Sequence, residues 1–159
     1  MKQHATLLFL RREGEILLAM KKRGFGAGKW NGAGGKVEEG ETPLQAAIRE
    51  TEEEVGVTPL NPRKVAEIDF YLTTDPDFNN YAHVFIADAW RGDPHETEEM
   101  RPQWFPLDAI PYPQMWGDDI DWLPALLAGK RFKATYTLDG GDVIVHSDTT
   151  YLKDGEDFA

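Results

Sequence analysis

The sequence of 159 residues contains no cysteine. This absence excludes disulfide bonds and thiolate metal sites, and it gives no reason to expect an oxidising compartment. Long hydrophobic runs are also missing: the apolar residues near the N-terminus, 7–10, are soon followed by charges, too short a run for a signal peptide or a membrane span. We therefore expect a cytoplasmic protein without a membrane partner.

Basic residues are scarce. The chain has 17 Lys and Arg against 28 Asp and Glu, a net charge of −11. This balance argues against binding a nucleic-acid polymer, because such binding depends on Lys and Arg at the phosphates. An acidic protein that handles phosphates needs metal ions, although over most of the surface the acidity need only favour solubility. The 41% hydrophobic content is typical of a globular protein, and we expect one domain over residues 1–159.

Apolar segments alternate with turn residues along the chain. Residues 21–40 are rich in glycine and without periodicity, which indicates a long functional loop. Strands and helices interleave, and this order favours a single α/β domain with a mixed sheet. The predicted elements are a hairpin of residues 4–10 and 15–20, strands 64–72 and 81–90 around a turn at 73–80, a helix at 118–129, and a terminal hairpin of 131–138 and 143–146.

Another helix is predicted from Thr42 to Gly56. Thr42 can cap it, Pro43 suits the first helical position, and Gln45 completes a capping box. Apolar residues recur at spacings of three and four, so one face should pack on the core. This face comprises Leu44, Ala47, Ile48, Thr51 and Val55.

Three carboxylates crowd onto one side of this helix, because Glu50 precedes Glu53 by three residues and Glu54 by four. Like charges at these spacings repel, and they lie in the half of the helix where the macrodipole disfavours anions. A hard cation such as Mg²⁺ would compensate. The alternative is a solvated acidic face on which Arg49 pairs with Glu53.

The wider context favours a metal site. Residues 34–57 have the sequence GGKVEEGETPLQAAIRETEEEVGV, which resembles the Nudix box: Gly, five residues, Glu, seven residues, Arg-Glu, an apolar residue, any residue, Glu-Glu, any residue, Gly, an apolar residue. Only Thr51 departs from this pattern, and its methyl group can still pack on the core. The matching residues are Gly35, Glu41, Arg49, Glu50, Glu53, Glu54, Gly56 and Val57.

The resemblance implies the Nudix fold, a mixed β-sheet sandwiched between helices, and a hydrolase that cleaves phosphoanhydrides with Mg²⁺ or, as a substitute, Mn²⁺. It implies that Glu53 positions or deprotonates the attacking water and that Arg49 orients the carboxylates. We expect Glu41 to fix the loop by pairing with Arg49. The implied metal ligands are Glu50, Glu53 and Glu54, an oxygen of Gly34 or Gly35, and Glu99.

Three further segments, residues 20–36, 99–105 and 115–119, resemble the MutT-homologue branch of the family, the 8-oxo-dGTP diphosphatase type. The likeness runs from Thr6 to past Phe132. It implies hydrolysis of oxidised purine nucleoside triphosphates to the monophosphate and pyrophosphate, which sanitises the nucleotide pool and prevents DNA damage. The implied substrate-binding residues are Thr6, Lys21, Phe25, Asn31, Gly34, Gly35, Lys36, Phe70, Trp116, Asp118 and Asp119.

The chemistry of these residues suits a purine. Asn31 offers a donor and an acceptor, and the rings of Phe25, Phe70 and Trp116 offer stacking faces. If Asp118 or Asp119 is buried, its pKa should rise, so that one carboxyl donates while the other accepts and the pocket takes both oxidised guanine and oxidised adenine. Each residue also has an explanation that involves no ligand. The aromatic rings could belong to the core, the two aspartates could begin a helix, and Asn31 could be a turn residue.

Two departures from the branch concern the pocket. Ala33 replaces a bulky aromatic residue, and residues 73–80 align with a gap, so that Asn80 or a neighbour stands where the branch has a pocket methionine. These departures predict a wider and wetter pocket. Two other functions stay open: hydrolysis of a different nucleoside diphosphate derivative, such as a dinucleotide or nucleotide sugar, and a non-catalytic nucleotide-binding module. The intact glutamates argue against the module. We expect a monomer whose partner is a small nucleotide.

Overall fold

The computed structural model describes residues 2–158. The first predicted hairpin is present, formed by β1 (Gln3–Arg12) and β2 (Glu15–Lys21). Its turn is shorter than predicted, because both arginines at residues 11–12 belong to β1 and only Glu13 and Gly14 connect the strands. Gly14 has a φ of 72°, a left-handed conformation that suits glycine.

Two helices and eight more strands follow. The helix predicted from the capping box is α1 (Pro43–Val55), and the second helix is α2 (Asp119–Leu127). The predicted strand at residues 81–90 is interrupted at Asp88. The strands at residues 30–31, 58–60 and 100–106 were not predicted. The remaining strands are β3 (Trp30–Asn31), β4 (Thr58–Leu60), β5 (Arg63–Leu72), β6 (Asn80–Ala87), β7 (Ala89–Arg91), β8 (Met100–Pro106), β9 (Phe132–Asp139) and β10 (Val143–Tyr151).

The main sheet is mixed, as predicted. Its strands have the order β10-β9-β5-β6-β1-β2-β3, with β8 paired to β2. β1 is parallel to β6 and β5 is parallel to β9, whereas the other pairs in the sheet are antiparallel. A separate two-stranded sheet joins β4 and β7.

The two helices cover opposite faces of this sheet. Neighbouring residues of one strand point to opposite faces, and Leu8 and Phe9 accordingly belong to different hydrophobic clusters. Phe9 packs in the cluster that contains Trp122 of α2, while Leu8 packs in the cluster that contains Val55 of α1. The sheet is therefore sandwiched between the helices, which confirms the predicted fold class.

One face of α1 differs from the prediction. Leu44, assigned to the core stripe, is 41% exposed, and Glu54 is buried instead. Thr51 is fully buried as expected, and its hydroxyl donates to the Ala47 carbonyl at 2.7 Å. Along residues 2–158, neither helix is long and apolar enough to cross a membrane.

The functional loop fills a gap in the sheet. β1 and β2 pair only at Arg11 and Arg12, and beyond that point the strands diverge. The glycine-rich segment takes the place of β2 along β1: Leu8 N donates to Ala33 O at 2.7 Å, and Thr6 N donates to Gly35 O at 2.9 Å. A cavity opens between the diverging strands, with α1 at its side.

Candidate active site

The acidic helix begins and ends as its sequence dictates. Thr42 Oγ1 accepts from Gln45 N at 3.1 Å and the Gln45 side chain accepts from Thr42 N at 2.9 Å, the predicted capping box. Gly56 ends the helix with a φ of 78°. A Cβ at this position would lie 1.9 Å from the His95 ring, so both the backbone conformation and the packing require glycine.

Two glycines bring the loop against the helix. Gly34 N donates to Glu54 Oε1 at 2.8 Å, and a Cβ on Gly34 would lie 1.8 Å from the Thr6 carbonyl oxygen. A Cβ on Gly35 would lie 2.6 Å from the carboxyl carbon of Glu50. The loop backbone therefore approaches two of the predicted metal ligands as closely as the chain permits.

Arg49 organises the carboxylates around it. Its guanidinium donates to Glu41 through Nε at 2.7 Å and Nη2 at 2.9 Å, and to Glu50 through Nη1 at 2.8 Å. A weaker bond reaches Glu53 at 3.4 Å. The bond from Arg49 lowers the pKa of Glu41 to about 2. Arg49 and Glu41 are thus paired, as the sequence predicted.

The remaining carboxylates differ in burial. Glu53 is exposed, with 59% of its side chain accessible. Burial raises the pKa of Glu50, against the opposing effect of Arg49. Burial also raises the pKa of Glu54 to about 8, and the charges of Glu50 and Glu99 act in the same direction. Thr97, two residues before Glu99, donates to Glu54 O at 2.8 Å, so this segment lies against α1. Glu99 itself accepts a bond from Arg23 at 2.5 Å.

The donor set fits a hard divalent cation. All of its side chains are carboxylates, which Mg²⁺ prefers, and the partial burial of Glu50 and Glu54 disfavours their charge unless a cation is present. In residues 2–158 as they stand, no three acidic or histidine side chains converge on one point, and Arg49 holds Glu50 and Glu53. Closing the shell would therefore require side-chain rotation.

Next to the helix, the cavity between β1 and β2 has a volume of about 330 Å³. Gly34 and Gly35 line it and also touch Glu54 and Glu50, so that loop connects the two regions. The structure brings together in this cavity all eleven residues of the predicted substrate site: Thr6, Lys21, Phe25, Asn31, Gly34, Gly35, Lys36, Phe70, Trp116, Asp118 and Asp119.

Asp118 and Asp119 form the floor of the cavity. They are 1% and 2% exposed, and within residues 2–158 Asp118 Oδ1 and Asp119 Oδ2 lack a hydrogen-bond partner. Burial raises the pKa of Asp118 to about 6, with Trp122 opposing as a donor to Oδ2. Burial and the charge of Asp118 raise the pKa of Asp119 well above its usual value. A buried polar atom without a partner is costly, so these oxygens indicate a polar ligand.

Asn31 has a double role. Its Oδ1 accepts from Gly32 N at 2.8 Å, as expected of a turn asparagine, and its side chain also lines the cavity. The plainer explanation of Asn31 and its place in the pocket are therefore compatible. Likewise, Asp118 precedes α2, as an acid that opens a helix would, but its side chain makes no capping bond.

The segment between β5 and β6 borders the cavity, where Asn80 or a neighbour was predicted, and Asn80 lines it. Asp77, Phe78 and Asn79 line the cavity, and the Phe78 ring stacks on Phe25 with 3.9 Å between centroids and 4° between planes. Phe25 in turn contacts Trp116 at 5.2 Å. The prediction of a wider, wetter pocket did not include the Phe78 ring, which adds an apolar surface to the cavity.

Ala33 does not face the cavity. It lies on the other side of the loop, against a void of about 10 Å³ that Thr51 and Val55 also line. Two of the three departures from the family pattern, Ala33 and Thr51, therefore concern the packing of α1. The prediction that Ala33 widens the pocket is wrong for this reason.

The sequence is similar to that of known proteins over most of its length. The family model described as the NUDIX domain matches residues 1–126. An "Oxidized purine nucleoside triphosphate hydrolase" of Danio rerio is 48% identical over 149 residues, which cover 94% of this chain and 95% of the relative. A protein of the same name from Mus musculus is 46% identical over 140 residues, 88% of this chain and 89% of the relative.

A solved structure supports the fold alone. The crystal structure of a MutT protein from Bacillus halodurans superposes with a TM-score of 0.78 at 20% sequence identity, covering 92% of this chain and 97% of that one.

Proposed function

The chain belongs to the Nudix family, and we propose that it hydrolyses oxidised purine nucleoside triphosphates, of the 8-oxo-dGTP and 2-oxo-dATP type, to the monophosphate and pyrophosphate. The observation that carries the substrate class is the pair of unpartnered oxygens of Asp118 and Asp119 at the floor of the cavity. The names of the relatives from Danio rerio and Mus musculus agree with it.

The floor suits more than one damaged base. Burial raises the pKa of both carboxyls, and the charge of Asp118 raises that of Asp119 further, so the pair favours a state in which one carboxyl is protonated and the other ionised. A protonated carboxyl donates and an ionised one accepts, so the pair can match either the donor or the acceptor pattern of a base edge. Asn31, Phe25, Phe70 and Trp116 surround this edge.

The acidic helix supplies the chemistry. Nudix hydrolases generally need a divalent metal, and we propose Mg²⁺, held by Glu50, Glu53, Glu54, Glu99 and a backbone oxygen of the glycine loop. Bound there, the ion would neutralise phosphate charge and lower the pKa of its water. Glu53 is the exposed carboxylate and takes the proton of the attacking water as the new bond to phosphorus forms and the bridging oxygen leaves. Arg49 fixes its neighbours for this step.

A panel of purified nucleotides with Mg²⁺ tests the substrate class, scored for the nucleoside monophosphate formed and, with triphosphates, for the pyrophosphate released. The proposal expects 8-oxo-dGTP and 2-oxo-dATP to be hydrolysed with higher kcat/KM than dGTP and dATP. Preference for a dinucleotide or nucleotide sugar would favour the second enzyme function. Tight nucleotide binding without any hydrolysis would favour the binding module.

Glu53→Gln tests the proton acceptor. The amide cannot accept the water proton, so turnover should disappear while nucleotide binding, measured by calorimetry, stays within about twofold of wild type. Glu52→Gln is a matched control, because Glu52 is also exposed on α1 but bonds to Thr58 instead of Arg49. Turnover of the Glu53 variant within about tenfold of wild type, a barrier change under about 1.4 kcal/mol, would refute the role.

A further inference from the structure

We propose that Phe78 determines specificity at the mouth of the purine site, where its ring favours two-ring over one-ring bases. This inference rests on the proposed function, because it assigns a further residue to the same pocket. Phe78 lies in the segment that aligns with a gap in the related branch, outside the Nudix box and outside the predicted site.

The backbone holds Phe78 in a defined place. It is the last residue of a 3-10 turn, Pro76–Phe78, in which Phe78 N donates to Asp75 O at 2.9 Å. Leu72 N donates to Asn79 Oδ1 at 2.7 Å, which closes the turn onto the end of β5. Thr73 N donates to Leu138 O at 3.0 Å and ties the turn to β9. The position of the ring is thus built into the turn.

The ring joins two sides of the cavity mouth. Phe78 comes from the turn between β5 and β6, Phe25 comes from the glycine-rich loop, and their 3.9 Å stack leaves no room for a third ring between them. Trp116 continues the row at 5.2 Å from Phe25. Behind Trp116 the chain is closely packed, since a Cβ on Gly141 would lie 2.6 Å from the indole. Three rings therefore form one apolar wall.

Part of this apolar wall is exposed and can contact a ligand. Phe78 is 44% exposed although it borders the cavity, so part of its ring remains free to contact a ligand. A base that covers the inner edge of Phe78 would remove apolar surface from water.

Depth within the cavity explains the selectivity. The carboxyls that read the base are buried at the floor, while Phe78 lies at the mouth. A base held at the floor by its hydrogen-bonding edge reaches further toward the mouth when it has two fused rings than when it has one. Contact with Phe78 should therefore favour purines and contribute little to pyrimidines.

The test compares Phe78→Ala, Phe78→Tyr and the wild type. With 8-oxo-dGTP the alanine variant should raise KM about threefold to tenfold, the range of one aromatic contact, and change kcat by less than twofold because the acidic helix is untouched. The inhibition constant of dCTP should not change. Phe78→Tyr keeps the ring and should keep the wild-type KM.

Tyr71→Ala is the matched control, because Tyr71 is another exposed ring at the same strand end but does not line the cavity. It should leave KM unchanged. An unchanged KM in a folded Phe78→Ala protein, or an equal loss of affinity for 8-oxo-dGTP and dCTP, would overturn this inference and leave the proposed function standing. A wild-type protein that does not hydrolyse 8-oxo-dGTP would overturn the proposed function and this inference with it.

Discussion

Replacing Asp119 by asparagine tests whether recognition of two different damaged bases depends on the protonated and the ionised forms of this carboxyl. The side chain keeps its shape in a site that is 2% exposed, but the amide neither ionises nor titrates. In the wild type, burial and the charge of Asp118 raise the pKa of Asp119 well above its usual value, and the pKa of Asp118 is about 6. The Asp119→Asn variant would therefore imitate only the protonated form.

The expected size of the effect follows from one hydrogen bond. A bond to a charged group contributes about 1.5 to 3 kcal/mol, and each 1.36 kcal/mol changes a rate about tenfold. The base that needs Asp119 as a donor should keep its kcat/KM, whereas the base that needs it as an ionised acceptor should lose about tenfold to a hundredfold. The ratio of the two activities should thus change by at least about tenfold.

The assay is pyrophosphate release from 8-oxo-dGTP and 2-oxo-dATP between pH 6 and 8.5. Wild-type activity ratios should vary with pH as the pair titrates, and the variation should be reduced in Asp119→Asn. Asp108→Asn is the control, because Asp108 is exposed, does not line the cavity and does not affect the pKa of either buried carboxyl. A ratio within about threefold of wild type in the Asp119 variant would refute the reasoning.

Two predictions concern stability. Gly56→Ala should destabilise the fold by about 2 kcal/mol or more, since φ is 78° and the new Cβ would lie 1.9 Å from the His95 ring; thermal denaturation measures this, and Gly56→Ala with His95→Ala should recover part of the loss. His83 is buried beside Lys64, and burial, with a smaller effect of Lys64, lowers its pKa to about 4. The unfolded chain protonates His83 near pH 6.5, whereas the folded protein does so only near pH 4, so the free energy of unfolding should fall by about 2 kcal/mol from pH 7 to pH 5 through this group. Urea titrations of His83→Gln should show a loss that is smaller by that amount. Equal losses in the variant and the wild type would contradict the lowered pKa of His83.

The local features of the site follow from sequence because each depends on residues close together in the chain. The capping box of Thr42 and Gln45 and the left-handed end at Gly56 are set by side chains within one helical turn. The pairing of Arg49 with Glu41 likewise lies within the matched motif. Strand β2 and its hairpin partner were similarly evident from apolar segments around a glycine turn.

Contacts between distant segments were not predictable in the same way. Nothing in the sequence near Phe78 indicates that its ring meets Phe25, fifty-three positions earlier, because this contact depends on how two loops lie across the sheet. Leu44 fits the helical periodicity but lies in the first turn of α1, where it is 41% exposed. Ala33 lies in the predicted loop, yet the alternation of side chains along β1 turns it toward α1 and away from the cavity.

The two glycines at residues 34–35 explain how the metal-binding helix and the base pocket keep a fixed relation. Gly34 bonds to Glu54 through its backbone, and Gly35 packs against Glu50 with no side chain between them, while both also line the cavity. A substitution on the cavity wall, such as at Phe78, acts on a different segment and leaves this backbone connection intact. Base preference can therefore change at the mouth without moving the carboxylates of α1, whereas any side chain at Gly34 would collide with Thr6 and disturb both regions at once.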